Sequence, residues 1–279
     1  MKKGINIWSF PGSLSIEECM RLAKKAGFDT IELALNEAGP LSLESSDDEI
    51  LGYRRLADEI GIEIGSLASG LYNSNNFASD DPKMAERAMW IARKHIHAAH
   101  VLGVFGILMV PGAVAIDFAP EAGLTSYDKA YERSLKAMKE LAPYAEEMNV
   151  HICLENIWNK FLLSPLEFRN FLDEIGSSHV HAYFDVANVV AFGYPEQWIR
   201  ILGNRIRLVH FKDYRRNVGT LDGFVDLLAG DVNWKEVMKA LREVGYHGPC
   251  TAEMIPGYQQ ASDHIIVSTK NAMDRIFAM

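Results

Sequence analysis

Clustered cysteines are absent from this sequence. Only three of its 279 residues are cysteine, an odd number, and no two of them stand in C-x-x-C spacing. A disulfide framework needs paired cysteines, so none is expected. Cys153 and Cys250 stand within apolar, strand-like runs, where cysteine packs as a small hydrophobic side chain. These observations predict a reducing, cytoplasmic location.

Long apolar runs and an excess of positive charge are also lacking. No uninterrupted run reaches the ~20 residues that a membrane-spanning helix needs. The start, Met-Lys-Lys-Gly-Ile-Asn-Ile-Trp, has two positive charges but no apolar stretch behind them, so no signal peptide is expected. The formal charge is −9, from 28 Lys and Arg against 37 Asp and Glu. Since nucleic-acid binding relies on clustered basic residues, we expect no nucleic-acid partner. Because no apolar run is long enough, we expect no membrane partner either.

A G-x-G-x-x-G fingerprint is missing too, which argues against a doubly wound dinucleotide-binding fold. The chain does contain eight β-rich runs that alternate with segments of helical periodicity. The runs are 5–8, 30–35, 63–67, 104–110, 151–155, 181–185, 207–211 and 250–254. Such alternation without a linker is typical of a parallel sheet closed into a barrel. We predict the α/β class, with a single (β/α)8 TIM-barrel domain over residues 1–279.

Four consecutive predicted strands carry an acidic residue or a histidine at or next to their carboxyl end. Glu155 and Asp185 end their runs, and His210 and Glu253 each stand one residue before the end. Because the active site of such barrels lies at the carboxyl ends of the strands, these side chains should meet at one rim. A single carboxylate after a strand is usually a helix cap or an ion-pair partner. Three converging carboxylates, however, would repel one another unless a cation neutralised them, so the four residues predict a metal site.

The predicted ligand set also indicates which metal is expected. Three carboxylates and one imidazole are mostly hard donors, which suit Mn²⁺ or Mg²⁺ and tolerate Co²⁺ or Zn²⁺. Without a thiolate, a structural zinc site is not expected. We predict one divalent ion as cofactor, and Mn²⁺ is the ion that we expect before the others. Its open positions would hold a substrate carbonyl and hydroxyl.

The same strand ends resemble those of a known superfamily. The matching segments are Leu-Glu155-Asn-Ile-Trp158-Asn159-Lys-Phe161, Phe-Asp185-Val-Ala-Asn188, Val-His210-Phe-Lys212-Asp213 and Ala-Glu253-Met. They are similar to the strand-end signatures of the sugar isomerases and epimerases with a xylose-isomerase-like TIM barrel. The resemblance covers essentially the whole chain. It is closest to the ketose 3-epimerases, both the tagatose/psicose type and the L-ribulose- or xylulose-5-phosphate type.

This resemblance implies an isomerase that acts on a sugar or sugar phosphate. In the family, the first and last glutamates of the set bind the metal and also move the proton at C3. Carried over, Glu155 and Glu253 would be catalytic: one abstracts the C3 proton, the metal stabilises a cis-enediolate, and the other returns a proton to the opposite face. The alternative is an inosose-type dehydratase, a lyase on the same scaffold. For the assembly we expect a homodimer or homotetramer.

Six further residues are predicted to bind substrate: Trp8, Glu32, Trp158, Asn188, Lys212 and Arg216. The two tryptophans could stack on a sugar or simply pack in the barrel mouth. Glu32 could orient substrate or hold the second ring nitrogen of His210. Lys212 could meet a hydroxyl or phosphate, or pair with Asp213 or Glu253.

Two of these residues bear on the substrate type. Asn188 stands where tagatose-type enzymes carry a histidine, which favours the phosphate type. Arg216 matches a substrate-contacting arginine of the tagatose type, or is a solvated loop cation.

The segment 213–230 holds Arg215, Arg216 and several glycines, and we expect it to close over the substrate as a lid. His95, His97 and His100 should be packing and surface residues, because positions i and i+2 of a helix point apart.

Overall fold

The protein is described by a computed structural model that covers residues 1–254, 260–261 and 263–279. Ten strands occur in this part of the chain: β1 (Lys2–Asn6), β2 (Thr30–Ala34), β3 (Glu63–Ala68), β4 (Gly106–Met109), β5 (His151–Glu155), β6 (Val180–Asp185), β7 (Ile206–Phe211), β8 (Asp213–Tyr214), β9 (Phe224–Val225) and β10 (Pro249–Ala252). Eight of them form a closed barrel in the order β1-β10-β7-β6-β5-β4-β3-β2, while β8 and β9 pair as a separate antiparallel hairpin.

Helices connect the barrel strands. They are α1 (Ile16–Ala26), α2 (Asp47–Ile60), α3 (Pro82–Leu102), α4 (Tyr127–Glu147), α5 (Pro165–Ile175), α6 (Pro195–Leu202), α7 (Trp234–Glu243) and α8 (His264–Phe277). The (β/α)8 TIM barrel predicted from the alternation is therefore confirmed. The helical periodicity of the sequence predicts a last helix over residues 262–277, and its first residue, Ser262, lies outside the described residues. No helix in the described part of the chain is long and apolar enough to cross a membrane.

The chain divides into two compact units. The first comprises Met1–Leu33, Arg55–Gly65 and Phe184–Met279, and the second comprises Ala34–Arg54 and Ser66–Tyr183. In the first unit, β1 pairs in parallel with β2 and with β10, and β10 pairs with β7. In the second unit, β4 pairs in parallel with β3 and with β5, and β5 pairs with β6. A single domain over the whole chain stays a prediction.

The barrel strands are buried along most of their length. Every residue of β2 and of β4 is buried. Parallel strands that are covered by helices bury both faces, which is why these segments have continuous apolar runs in the sequence. β10 ends at Ala252, so Glu253 is the first residue after the strand and not part of it.

The first strand differs from the sequence prediction. Residues 5–8 were expected to be extended, but β1 ends at Asn6 and a short 3-10 helix runs from Ile7 to Ser9. The side-chain oxygen of Asn6 accepts a hydrogen bond from the backbone N–H of Trp8 at 2.7 Å and so caps this helix. Asparagine competes for backbone donors in this way and ends the strand early. Trp8 therefore lies beyond the strand, half-buried in the short helix.

Candidate active site

Three polar side chains of the first unit lie together at the ends of β6, β7 and β10. His210 Nδ1 is 2.8 Å from Glu253 Oε2 and 3.9 Å from Asp185 Oδ2. The side chains of Asp185 and His210 are fully buried, and that of Glu253 is 15 % exposed. The burial of two carboxylates and an imidazole at this spacing is costly unless positive charge compensates them.

The other ring nitrogen of His210 is held by Glu32 of β2. His210 Nε2 and Glu32 Oε1 are 2.7 Å apart, and Asn6 Nδ2 donates to the same oxygen at 2.6 Å. Because a carboxylate accepts hydrogen bonds, His210 donates from Nε2 to Glu32, and Nδ1 is the ring nitrogen that faces Glu253. The contact between Glu32 and His210, one of the two possibilities that the sequence left open, is thus present.

Lys212 brings positive charge to this cluster. Its Nζ lies 2.7 Å from Glu253 Oε2 and 3.1 Å from Asp185 Oδ2. Of the two ion-pair partners that the sequence suggested for Lys212, Glu253 is therefore in contact. The Asp213 oxygens instead accept four hydrogen bonds from the segment that follows β7.

These contacts move the two acidic pKa values in opposite directions. Burial raises the pKa of Asp185 above its usual range, and the positive charges of Lys212 and His210 only partly oppose that rise. Burial also acts to raise the pKa of Glu253, but Lys212 and His210 outweigh it and lower the pKa to about 2. Glu253 is therefore ionised at neutral pH, next to the ammonium group of Lys212.

Glu155 completes a possible metal-binding group. Glu155, Asp185, His210 and Glu253 each offer one ligand atom, and these atoms lie within 4.8 Å of one another. Glu155 is the last residue of β5 and is 6 % exposed. No second group of three or more His, Cys, Asp or Glu side chains with this spacing occurs among the described residues.

The structure also places the remaining residues predicted to bind substrate. Trp158, like Trp8, is half-buried. Asn188 is buried, and its backbone N–H donates to Asp185 Oδ1 at 2.8 Å. Asn188 therefore lies beside the acidic cluster, whereas the structure alone assigns no role to the two tryptophans.

Arg216 is engaged with the loop that follows β6. Its Nε donates to Val190 O at 2.9 Å and its Nη2 to Gly193 O at 3.4 Å. The guanidinium group also lies over the ring of Tyr194, 5.0 Å from its centroid. These contacts hold the loop after β6, and the predicted contact of Arg216 with substrate stays a prediction.

The histidines of α3 are not grouped around a common point. His95 is buried, with Tyr72 Oη 3.0 Å from its Nδ1 and Leu67 O 3.0 Å from its Nε2. His97 contacts Asp47, and His100 contacts the Met148 carbonyl. These are the packing and surface roles that their helical spacing predicts.

The segment after β7 contains a feature that the sequence analysis missed. Asp213 is buried and accepts four hydrogen bonds: from Tyr214 N at 2.9 Å, Leu228 N at 2.9 Å, Val232 N at 3.2 Å and Trp234 Nε1 at 2.9 Å. Burial raises the pKa of Asp213, and these donors counteract that rise. The segment expected to be a lid is thus tied down at several points. Three of the four residues that donate to Asp213 are 15 to 21 positions away in the sequence, so a local sequence pattern does not reveal these contacts.

A glycine makes this arrangement possible. A Cβ on Gly230 would lie 2.2 Å from Asp213 Oδ1 and 2.6 Å from the Tyr214 nitrogen. No side chain fits at that distance, so the backbone can approach Asp213 only at a glycine. Next to this hairpin lies a cavity of about 110 Å³. It is lined by Lys212, Asp213, Phe224, Val225, Asp226, Glu253 and Met254.

Comparison with known proteins places the chain in a family. Residues 20–269 match the model of the xylose isomerase-like TIM barrel. The chain belongs to this family. A relative, D-psicose 3-epimerase from Enterocloster bolteae, is 25 % identical over 262 residues, which cover 91 % of this chain and 82 % of that protein. L-ribulose-5-phosphate 3-epimerase from Salmonella paratyphi A is 24 % identical over 261 residues, covering 91 % and 88 %.

A solved structure has the same fold as this chain. The D-psicose 3-epimerase of Clostridium cellulolyticum, solved with D-tagatose, superposes with a TM-score of 0.82 at 20 % identity, covering 99 % of this chain and 98 % of that one. The two curated relatives described above are named as ketose 3-epimerases, which are isomerases. They support a sugar epimerase and agree with the isomerase that the sequence predicts.

Proposed function

We propose that this protein is a metal-dependent 3-epimerase of a ketose or ketose phosphate. The observation that carries the proposal is the group formed by Glu155, Asp185, His210 and Glu253, whose ligand atoms lie within 4.8 Å of one another. The group stands at the carboxyl ends of barrel strands, where enzymes of this fold have their active sites. The names of the curated relatives support the same chemistry.

The donor set fits a divalent cation. The separation of 2.8 Å between His210 Nδ1 and Glu253 Oε2 is close to the spacing of about 3 Å between adjacent ligands bonded at about 2.1 Å to one ion. In its neutral form, with Nε2 donating to Glu32, His210 would offer the lone pair on Nδ1 to a cation that Glu253 also binds. Three carboxylates and one imidazole favour Mn²⁺, with Mg²⁺, Co²⁺ and Zn²⁺ as alternatives.

When bound, the divalent ion would stabilise the negative charge that develops on the substrate oxygens during proton removal. The two glutamates carry out the proton transfers in this proposal. One carboxylate takes the proton from C3, and the electron pair of the C3–H bond moves toward the C2 carbonyl to form an enediolate. The other glutamate, in its protonated form, gives a proton to the opposite face of C3. The product is the C3 epimer, and solvent exchange resets the two protonation states.

Three finer properties belong to the proposal. The expected metal is Mn²⁺, the expected assembly is a homodimer or homotetramer, and the expected location is the cytoplasm. Trp8, Glu32, Trp158, Asn188, Lys212 and Arg216 remain the proposed substrate-binding residues. Among them Glu32 acts through His210, and Arg216 through the loop that it holds.

Incubation of the metal-loaded protein with a panel of ketoses and ketose phosphates in D₂O tests the proposed function. We expect deuterium at C3 together with formation of the C3 epimer, and no reaction after removal of the metal. Deuterium at C1 with an aldose product would indicate an aldose–ketose isomerase. Loss of water from the substrate would indicate the dehydratase. Each of those two outcomes, and equally the absence of any reaction across the panel, would contradict the proposal.

A further inference from the structure

The hairpin of β8 and β9 forms one wall of the cavity beside Glu253. Phe224 of β9 lines this cavity, and its ring lies 5.8 Å from Lys212 Nζ. Tyr214 of β8 packs against Phe224 edge to face, with ring centroids 5.0 Å apart. A partly exposed aromatic ring is thereby held beside the polar cluster. Phe224 is not among the site residues that the sequence predicts.

Hydrogen bonds to Asp213 hold this wall in place. Asp213 accepts hydrogen bonds from Leu228 and Trp234 on the far side of the hairpin, both at 2.9 Å. A carboxylate that binds buried donors makes strong hydrogen bonds, and their loss would leave those donors unsatisfied. The ring of Phe224 is therefore pre-organised before any ligand arrives, which reduces the entropic cost of binding.

The charges of the lining disfavour an anionic ligand. Lys212 is the cation of the described lining, and its Nζ already lies within 3.1 Å of both Asp185 and Glu253. Asp226 adds a further carboxylate to the lining. A dianionic phosphate placed here would meet more negative than positive charge, and like charges at close range cost binding energy.

The two arginines of the hairpin, Arg215 and Arg216, donate hydrogen bonds to backbone carbonyls. Arg215 Nε donates to Ala229 O at 3.2 Å, within the segment itself. Arg216 donates to two carbonyls of the loop after β6. Both arginines thus hold backbone in place, and recruiting either for a phosphate would require breaking these contacts.

We propose that this cavity takes an uncharged sugar, with the Phe224 ring stacked on its C–H face, and that it discriminates against the terminal phosphate ester. Sugar rings and chains present apolar C–H faces that pack on aromatic rings, while their hydroxyls bond to the neighbouring polar groups. The inference rests on the proposed epimerase function, since that function places the reacting sugar beside Glu253. It also points away from the phosphate type that Asn188 suggested.

Calorimetric titration of the metal-loaded protein with matched pairs of a ketose and its terminal phosphate ester tests this proposal. We expect the free ketose to bind about tenfold or more tightly than its ester, a ratio that like-charge repulsion readily supplies. Inorganic phosphate serves as a further probe and should not compete with the free ketose.

Substitutions at two positions of the lining, Phe224 and Asp226, locate the effect. Phe224→Ala should weaken binding of the free ketose by about two- to tenfold, the range expected for a lost stacking contact, and Phe224→Trp should preserve it. Phe192→Ala is the matched control, because that ring is 58 % exposed and outside the cavity lining. Asp226→Asn should shift the ratio of affinities toward the ester by about fivefold, because one repelling charge is removed.

Three results would overturn the inference: an ester that binds as tightly as the free ketose, an unchanged dissociation constant in Phe224→Ala, or no binding of either partner. Failure of the proposed function is distinguishable from these. If the free ketose binds with the expected preference but no hydrogen exchange occurs at C3, the epimerase proposal fails while the preference for an uncharged sugar stands.

Discussion

His210 owes its orientation to contacts at both ring nitrogens. Glu32 and Asn6 lie behind it, so that Nε2 faces a carboxylate which is itself hydrogen-bonded and fully buried. Nδ1 faces Glu253 at 2.8 Å. A carboxylate that accepts from one imidazole nitrogen fixes the tautomer and raises the basicity of the other nitrogen. The direction in which His210 presents its lone pair therefore depends on a residue that is outside the proposed ligand set.

Replacement of Glu32 by glutamine tests this dependence. Glu32→Gln keeps the size of the side chain but removes the negative charge that fixes the proton on Nε2. We expect Mn²⁺ affinity to fall about 10- to 100-fold, as is typical for such supporting partners, in a calorimetric titration of the metal-free protein.

Glu63→Gln is the control, because Glu63 is 56 % exposed and pairs only with Lys2 at the surface among its described contacts. Circular dichroism would establish that both variants are folded. An unchanged Mn²⁺ affinity in Glu32→Gln would show that the contact between Glu32 and His210 does not serve metal binding.

At the scale of elements, the hairpin after β7 depends on one buried carboxylate. The two oxygens of Asp213 accept four N–H donors, three of them from residues 15 to 21 positions further along the chain. All four partners donate, so an acceptor-only group is required at this position. The element is therefore specified by the charge state of Asp213 and by the close approach at Gly230.

Asp213→Asn should destabilise the protein. The amide group turns two N–H donors toward backbone and indole donors, and at least one buried donor loses its partner, which costs about 1–3 kcal/mol. A lower Tm in differential scanning calorimetry would check this. Asp222→Asn in the same segment is the control, because Asp222 is exposed. Equal Tm values for the two variants would contradict the proposed role of Asp213.

The hairpin also shows which features of the fold local sequence patterns do not predict. Alternation of apolar runs predicted every barrel strand, because the period of a strand is a local property. The segment 213–230 was expected to close over the substrate as a lid, and that closure stays a prediction. Its hairpin was not expected, because it is held by Asp213 contacts across 15 to 21 residues. At β1 the error has a local cause, since the capping side chain of Asn6 ends the strand two residues before the apolar pattern does.

At the scale of the molecule, the closed barrel determines which strand ends lie near one another. Glu155, Asp185, His210 and Glu253 are far apart in sequence, but barrel topology puts consecutive strand ends at one rim. For that reason the group could be predicted without a structure. The support by Glu32, the ion pairs of Lys212 and the position of Phe224 needed side-chain geometry, because each involves partners on other elements.

In the proposed mechanism, Glu155 and Glu253 move the C3 proton. The most direct test compares epimerisation and C3 deuterium exchange in D₂O for Glu155→Gln and Glu253→Gln, with Glu63→Gln as the exposed control. Each active-site variant should retain measurable metal but lose epimerisation by about 10²–10⁴-fold, the usual cost of removing a general acid or base. One of the two should still exchange the C3 proton from a single face. Full epimerase activity in either variant would show that another residue moves the proton.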